Sequence, residues 1–303
     1  MNQFDVITIG SLLTDVFIQS DEFSLQLSGA GVLLCSQYGD KVEVDNFTLQ
    51  GGGGAGNTAV GFARRGLRTA AIGEMGTDAL SEQVIAELKE EGVATDLVVR
   101  EKREQTGLSV VLIAPQGGRT IMVHRGAASM LGATDADWGS LNARWFHVSS
   151  LSGQVEVIRS IQARCQDQQI GWSWNPGRRE LELLKQNQLK MSDGAPTLFF
   201  VNKEEWDSIA DIHDHFHESI EQIIVTNGNQ GGQVFCDSKC VEGYTVEQVT
   251  SVDETGAGDA FAVGYISAFL EKKELHQAIE AGKESAASVV KQVGAKTGLL
   301  KKS

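Results

Sequence analysis

Asp253-Glu254-Thr255-Gly256-Ala257-Gly258-Asp259 combines three small residues and a carboxylate at the point where a helix pattern begins. After it, Phe261, Val263, Gly264, Ile266, Ala268, Phe269 and Leu270 recur at helical spacing. The first N–H groups of a helix have no intrahelical partner, and the macrodipole places positive charge at the same end. Gly256, Ala257 and Gly258 therefore mark a turn suited to holding an anion. A carboxylate at Asp259 is out of place beside an arriving phosphate unless it takes a proton from a nucleophile as the phosphate approaches. That chemistry is phosphoryl transfer to a hydroxyl. A plain Asp cap on a Gly-rich turn would use the same residue types.

A second glycine run, Gly51 to Gly56 followed by Asn57, reads in two ways. Gly51, Gly53 and Gly56 satisfy G-x-G-x-x-G, and Glu74 lies at about the spacing of a ribose contact, as in an NAD-dependent Rossmann oxidoreductase. Against this, the first core strand (Val6 to Ile9) leads into Ser11-Leu12-Leu13-Thr14-Asp15 with no Gly-rich loop, and the Asp259 turn is left without a role. Alternatively, missing side chains let a polyhydroxyl ligand approach the backbone, and Asn57 offers it a donor and an acceptor. Asp15, expected just past the first strand, sits where ligands of open parallel sheets bind. A carboxylate there can accept from two vicinal hydroxyls.

These residues need a scaffold, and apolar periodicity supplies one. Strands are expected at Phe4–Ile9, Arg68–Gly73, 144–149, 168–174, 197–201 and 221–226. Helices are expected at 57–66, 78–91, 153–166, 178–190, 203–219, 258–272 and 274–292. The alternation predicts an α/β fold, a doubly wound and mostly parallel sheet flanked by helices. Two segments, about 15–50 and 106–125, are β-rich instead. Val42-Glu43-Val44, Asn46–Leu49, Ser109–Ile113 and Thr120–His124 read as strands of a small accessory sheet, with Gln116-Gly117-Gly118-Arg119 as a hairpin turn.

Asp253 to Asp259 resembles the C-terminal signature of the ribokinase-like (PfkB-type) sugar and nucleoside kinases. Matching segments run in family order from about residue 5 to about residue 298. Gly52, Gly53 and Asn57, with Arg64-Arg65-Gly66 closing the segment, resemble the family's N-terminal signature. The resemblance implies one kinase domain over 1–303, with the small sheet as a lid over the substrate. It implies ATP as donor, Mg²⁺ as cofactor, Asp259 as base and Gly256–Gly258 as anion hole. Asp15, Gly52, Gly53 and Asn57 would hold the acceptor. Asn175-Pro176-Gly177 resembles a turn beside the phosphates. Asn202-Lys203-Glu204-Glu205 resembles the Asn-x-x-Glu motif, where Glu205 would hold Mg²⁺ through waters. Thr226, Gly228 and Gly231 resemble the nucleotide-facing loop, and Ala286, Ala287, Val290 and Gly294-Ala295 the wall of the adenine pocket. Asp253 matches the aspartate of a K⁺ site in many relatives. Asp259 is expected to have a low pKa at its helix N-terminus.

Two departures bear on the acceptor: Gly54 stands where ribokinases often have lysine, and Gly126-Ala127-Ala128 replaces Gly-Ala-Asn. A ribose- or fructose-like sugar is the first expectation. A nucleoside is the alternative, with Phe17 or Phe47 stacking on the base. A catalytically silent binding protein would need a broken site, whereas Asp259, the glycines, Asn202 and Glu205 are all present. Family precedent implies a homodimer through the lid.

Composition narrows the field. The chain has 303 residues, 41% of them hydrophobic, and only 3 Pro, which suits a globular fold with a large core. A net charge of −14 argues against nucleic acid or an anionic membrane as partner. No basic leader or membrane-length apolar run is seen, so a cytoplasmic location is expected. Cys35, Cys165, Cys236 and Cys240 are too irregular for a metal site and read as free thiols. His213, His215 and His217 read as a solvated face, Trp172 and Trp174 as core, and Lys296 to Lys302 as a short basic tail.

Overall fold

The computed structural model describes residues 3–29, 31–115, 118–236 and 239–302. From β1 (Phe4–Ile9) the chain leaves the core for β2 (Leu13–Gln19) and a separate hairpin, β3 (Ser24–Ser28) and β4 (Gly31–Cys35). It returns through β5 (Asn46–Gly52) into α1 (Gly54–Arg64) and β6 (Thr69–Ile72). Next come β7 (Glu74–Met75), α2 (Ala79–Glu90) and β8 (Val99–Arg100), and then a second excursion, β9 (Gly107–Ile113) and β10 (Arg119–His124). The core resumes with β11 (Ala143–Val148), α3 (Val155–Gln168), β12 (Gly171–Trp174), α4 (Arg178–Lys185) and β13 (Leu198–Asn202). It finishes with α5 (Lys203–Ser208), α6 (His213–Ser219), β14 (Gln222–Thr226), β15 (Gly232–Cys236), β16 (Lys239–Tyr244), α7 (Ala257–Leu270) and α8 (Leu275–Val289).

The central sheet has eight strands in the order β16-β15-β14-β13-β12-β11-β1-β6. It is parallel from β6 to β14, while β15 and β16 pair antiparallel at one edge. Successive side chains go to opposite faces. Leu198 and Phe200 pack with Phe261, Tyr265 and Ile266 of α7. Phe199 and Val201 join Ile158 of α3, Leu181 of α4 and Trp206 of α5. Both faces are therefore dry, which is why the strands read as continuous apolar runs. Trp172 and Trp174 are core, as expected.

The second sheet has the order β10-β9-β2-β5 and is mixed, since β2 and β9 run parallel. One face holds Phe17, Val111 and Ile113 against Val293, while β10 is exposed along its whole length.

Several expectations are corrected. Val42-Glu43-Val44 is irregular rather than a strand, whereas Asp15 lies just past β1 as expected, within β2. The helix expected over 203–219 is α5, a 3₁₀ turn (Ala210–Ile212) and α6, because Trp206, Ile209 and Phe216 must all reach the core. The helix expected over 178–190 ends at Lys185, with Asn187 at φ 56° behind it. The hairpin turn read at Gln116 to Arg119 includes Gln116 and Gly117, outside the described residues.

Candidate active site

The chain visits β6 on one side of β1 and later places β11 on the other, so the carboxyl ends of β1 and β11 form the switch point of the sheet. The two strands stay close there: a Cβ on Gly10 would lie 2.0 Å from Ser149 Oγ. The first turn of α1 lies against the same spot. A Cβ on Gly54 would meet Ser149 Oγ at 2.6 Å and Asp259 Oδ1 at 3.9 Å. Ser149 thus explains why glycine, not a long cation, occupies position 54.

Opposite α1 begins α7. Its N-cap, Gly256, has φ 78°, and a Cβ there would come within 2.4 Å of the Ala295 Cβ, so only glycine fits. A Cβ on Gly258 would meet nothing within 4 Å, which leaves open space at the start of α7, where the Ala257 N–H is already donated to the Glu254 carbonyl at 3.2 Å. Asn57 Nδ2 donates to Asp259 Oδ2 at 2.8 Å, joining the starts of α1 and α7, and Asn57 Oδ1 is buried without a partner. The two glycine-rich segments therefore meet at one carboxylate.

Asp259 is only partly covered at its surface but densely surrounded by protein. Burial pushes its pKa up to about 6, the Asn57 hydrogen bond pulls it down, and the Asp15 charge pushes it up. The low pKa expected from the helix N-terminus is corrected: burial moves this carboxyl in the opposite direction. Asp15 is also pushed up to about 6, first by burial; a Ser109 hydrogen bond and Lys296 lower it, Asp253 and Glu87 raise it. Gly52 is forced by this carboxylate, since a Cβ there would lie 1.9 Å from Asp15 Oδ2. At Gly53, φ 88° and the Ser11 carbonyl oxygen, 2.3 Å from a built Cβ, again demand glycine.

The expected nucleotide residues lie along the carboxyl ends of adjacent strands. Asn175 follows β12 and donates from Nδ2 to the Phe200 carbonyl at 2.9 Å. Asn202 ends β13 opposite Thr226, the end of β14. Asn202 and Glu205 form a capping box: Glu205 N–H donates to Asn202 Oδ1 at 2.8 Å, and Asn202 N–H to Glu205 Oε2 at 2.9 Å. Gly228 (φ 52°) and Gly231 (φ 90°) shape the following turn; a Cβ on Gly231 would lie 1.9 Å from the Tyr244 carbonyl oxygen. Ala287 is half-buried in α8. Among the described residues no cluster of three or more acidic, His or Cys side chains could cage a metal. The capping box leaves Glu205 one carboxylate oxygen, which fits a water-bridged Mg²⁺.

The dinucleotide reading fails on geometry. The glycine run follows β5, a strand of the small sheet, and Glu74 is buried on β7 with its pKa pushed up to about 7 by burial. His213 and His217 are not on a solvated face: they pack against Trp206, His213 stacking at 3.6 Å, while His215 is exposed. Lys296 is no tail residue but 3% exposed, its Nζ 2.6 Å from Glu87 Oε1, while Glu87 Oε2 accepts from the Gly51 N–H. The sequence signal for Lys296 was its place directly after Gly294-Ala295.

Comparison with known proteins gives the family. Residues 3–302 match the model of the pfkB family carbohydrate kinases. An uncharacterised sugar kinase of Archaeoglobus fulgidus is 27% identical over 79% of this chain and 98% of its own length. The ribokinase of Haemophilus influenzae is 25% identical over 86% of this chain and 88% of its own length. The crystal structure of the Methanocaldococcus jannaschii nucleoside kinase, a ribokinase-family member, superposes with a TM-score of 0.77 at 20% identity, covering 100% of this chain and 97% of that one. With a glycine-cradled carboxylate at the switch point and a family match over nearly every residue, the chain belongs to the pfkB family of carbohydrate kinases.

Proposed function

We propose that this ATP-dependent kinase transfers the γ-phosphoryl group to a primary hydroxyl of a small sugar of the ribose or fructose kind. The observation that carries the reading is the Asn57–Asp259 hydrogen bond at the open start of α7. Because Asn57 occupies Asp259 Oδ2, Oδ1 is left for the acceptor hydroxyl. Asp15 accepts from the sugar's vicinal hydroxyls, and the unpartnered Asn57 Oδ1 accepts another. The hydroxyl proton passes to Asp259, the new O–P bond forms, and ADP departs with the electrons of the broken β–γ bridging bond. The N–H groups of Gly256 and Gly258 stabilise charge on the transferring group, while that of Ala257 is held by the Glu254 carbonyl at 3.2 Å. Glu205, braced by Asn202, would hold Mg²⁺ through water, and the ion would supply positive charge to the nucleotide phosphates. Asn175, Thr226, Gly228, Gly231 and Ala287 line the nucleotide side. The small sheet acts as a lid that excludes water.

The nucleoside alternative loses its aromatic support. Phe17 shares the Asp15 face but is packed under Val293, and Phe47 lies on the opposite face of its sheet. Exposed Leu27, Val32, Phe47 and Met122 supply an apolar surface for a second copy of the chain. No helix among the described residues is long and apolar enough to cross a membrane.

The test is ADP release from Mg²⁺-ATP across pentoses, ketohexoses and nucleosides, with Asp259→Asn alongside. Turnover on a sugar that is lost in the variant is expected. Turnover confined to nucleosides would replace the sugar reading, and turnover surviving in the variant would remove Asp259 as base.

A further inference from the structure

The surroundings of Asp253 do not fit the K⁺ site that its motif position implies. Its side chain is fully buried. Oδ1 accepts from Thr255 N–H at 2.9 Å and Thr255 Oγ1–H at 2.6 Å, and Oδ2 accepts from Gly294 N–H at 2.9 Å. Its lone pairs are thus largely committed to the protein. A buried carboxylate still needs a counter-charge, because neutral donors alone leave an ion in a low-dielectric interior. Among the described residues that charge is Arg119, whose Nε lies 4.0 Å from Asp253 Oδ1 and whose Nη1 lies 3.5 Å from Glu254 Oε2.

Arg119 opens β10, the outer strand of the lid sheet, so its reach to residues 253 and 254 is a long-range contact between lid and anion-hole turn. The same turn is tied to the end of α8 by Val252 N–H donating to the Val290 carbonyl at 2.7 Å. A guanidinium suits this place because it remains charged at every working pH and addresses two carboxylates at once. We propose that Arg119 supplies the positive charge Asp253 requires, so that the anion-hole turn is ordered by a lid residue in place of a monovalent cation. The assignment builds on the kinase reading of the turn and makes Arg119 a positioning residue: it touches neither phosphate nor acceptor and acts through Asp253. A lid out of place would leave the turn without its counter-ion, coupling acceptor enclosure to nucleotide binding.

The experiment compares the whole protein with Arg119→Gln and Arg119→Lys in KCl and in choline chloride at equal ionic strength. The readouts are the melting temperature without nucleotide and the Kd for Mg²⁺-ADP by calorimetry. The wild type is expected to melt at the same temperature and bind ADP equally in both salts. Arg119→Gln is expected to melt lower and bind ADP on the order of 10-fold more weakly in both salts, since the committed oxygens of Asp253 leave no place for K⁺ to act instead. Arg119→Lys, which keeps the charge, is expected to follow the wild type. A wild type that needs K⁺ for stability or affinity would overturn the proposal, as would Arg119→Gln matching the wild type in choline. Loss of ADP binding by every form would strike the kinase reading instead, and the melting temperatures would still decide the role of Arg119.

Discussion

Along β13, Leu198 and Phe200 face α7 while Phe199 and Val201 face the helices on the other side, so the parallel part of the central sheet is covered on both faces and only its antiparallel edge, β16, is largely exposed. The small sheet buries Phe17, Val111 and Ile113 on one face and leaves Phe47 62% and Met122 59% exposed on the other. Asp259 belongs to the first region and Asp15 to the second. Asp259 is thereby fixed by a close-packed core, while Asp15 rides on an element with far less burial to hold it. On the proposed roles, chemistry and selectivity would fall to parts of unequal stiffness.

The sharpest way to break this division is Asp259→Asn. Turnover is expected to fall on the order of 10²–10⁴-fold with the fold intact. The variant is also expected to be more stable at pH 8. A carboxyl whose folded pKa is raised from 3.8 to about 6 contributes stability that is present below pH 3.8 and lost as pH rises to about 6. Its ionised form is therefore a cost near neutrality, about 1–2 kcal/mol once partial solvent contact is allowed for, and asparagine removes that cost. Melting curves at pH 8 and pH 4 test this; an equal gain at both would show that desolvation of Asp259 is not the cause.

Gly52→Ala attacks the other region. Its Cβ would displace the Asp15 carboxylate, so kcat/KM for the acceptor is expected to fall on the order of 10²-fold, mainly through KM. Unchanged acceptor KM would detach Asp15 from recognition, and a matching loss of ADP affinity would mean the two regions are not separable. A gentler probe is pH: kcat/KM is expected to rise with pH through about 6, where Asp15 and Asp259 both ionise. Because each charge raises the other's pKa, the limb belongs to the pair. A flat profile from pH 5 to 8 would show that neither carboxylate must be ionised. The smallest effect is expected from Met122→Ser on the exposed face, within about 0.5 kcal/mol for a monomer. A clear loss of stability, with slower elution in gel filtration, would show that a second copy covers this face.

What was legible followed from local pattern. β-branched runs announced the strands of the central sheet, and the small residues before Phe261 announced the start of α7. Contacts brought together by the fold were not legible. Lys296 reads as one of several tail lysines until α2 brings Glu87 against it. Arg119 reads as a turn residue until the small sheet is laid beside Asp253. The pKa of Asp259 was misread for the same reason: the helix terminus is written in the sequence, but the density of protein around it is not. Val42 and Val44 have β propensity without a partner strand, and propensity alone did not make a strand.

The hydrogen bond between Asn57 and Asp259 spans 202 residues of chain. During synthesis Asn57 emerges early, but Asp259 arrives only with the last elements, so this contact can form only when nearly the whole chain is out. Closing so long a loop also makes this contact a late event in folding, and recovery of turnover after dilution from denaturant should lag behind recovery of helix.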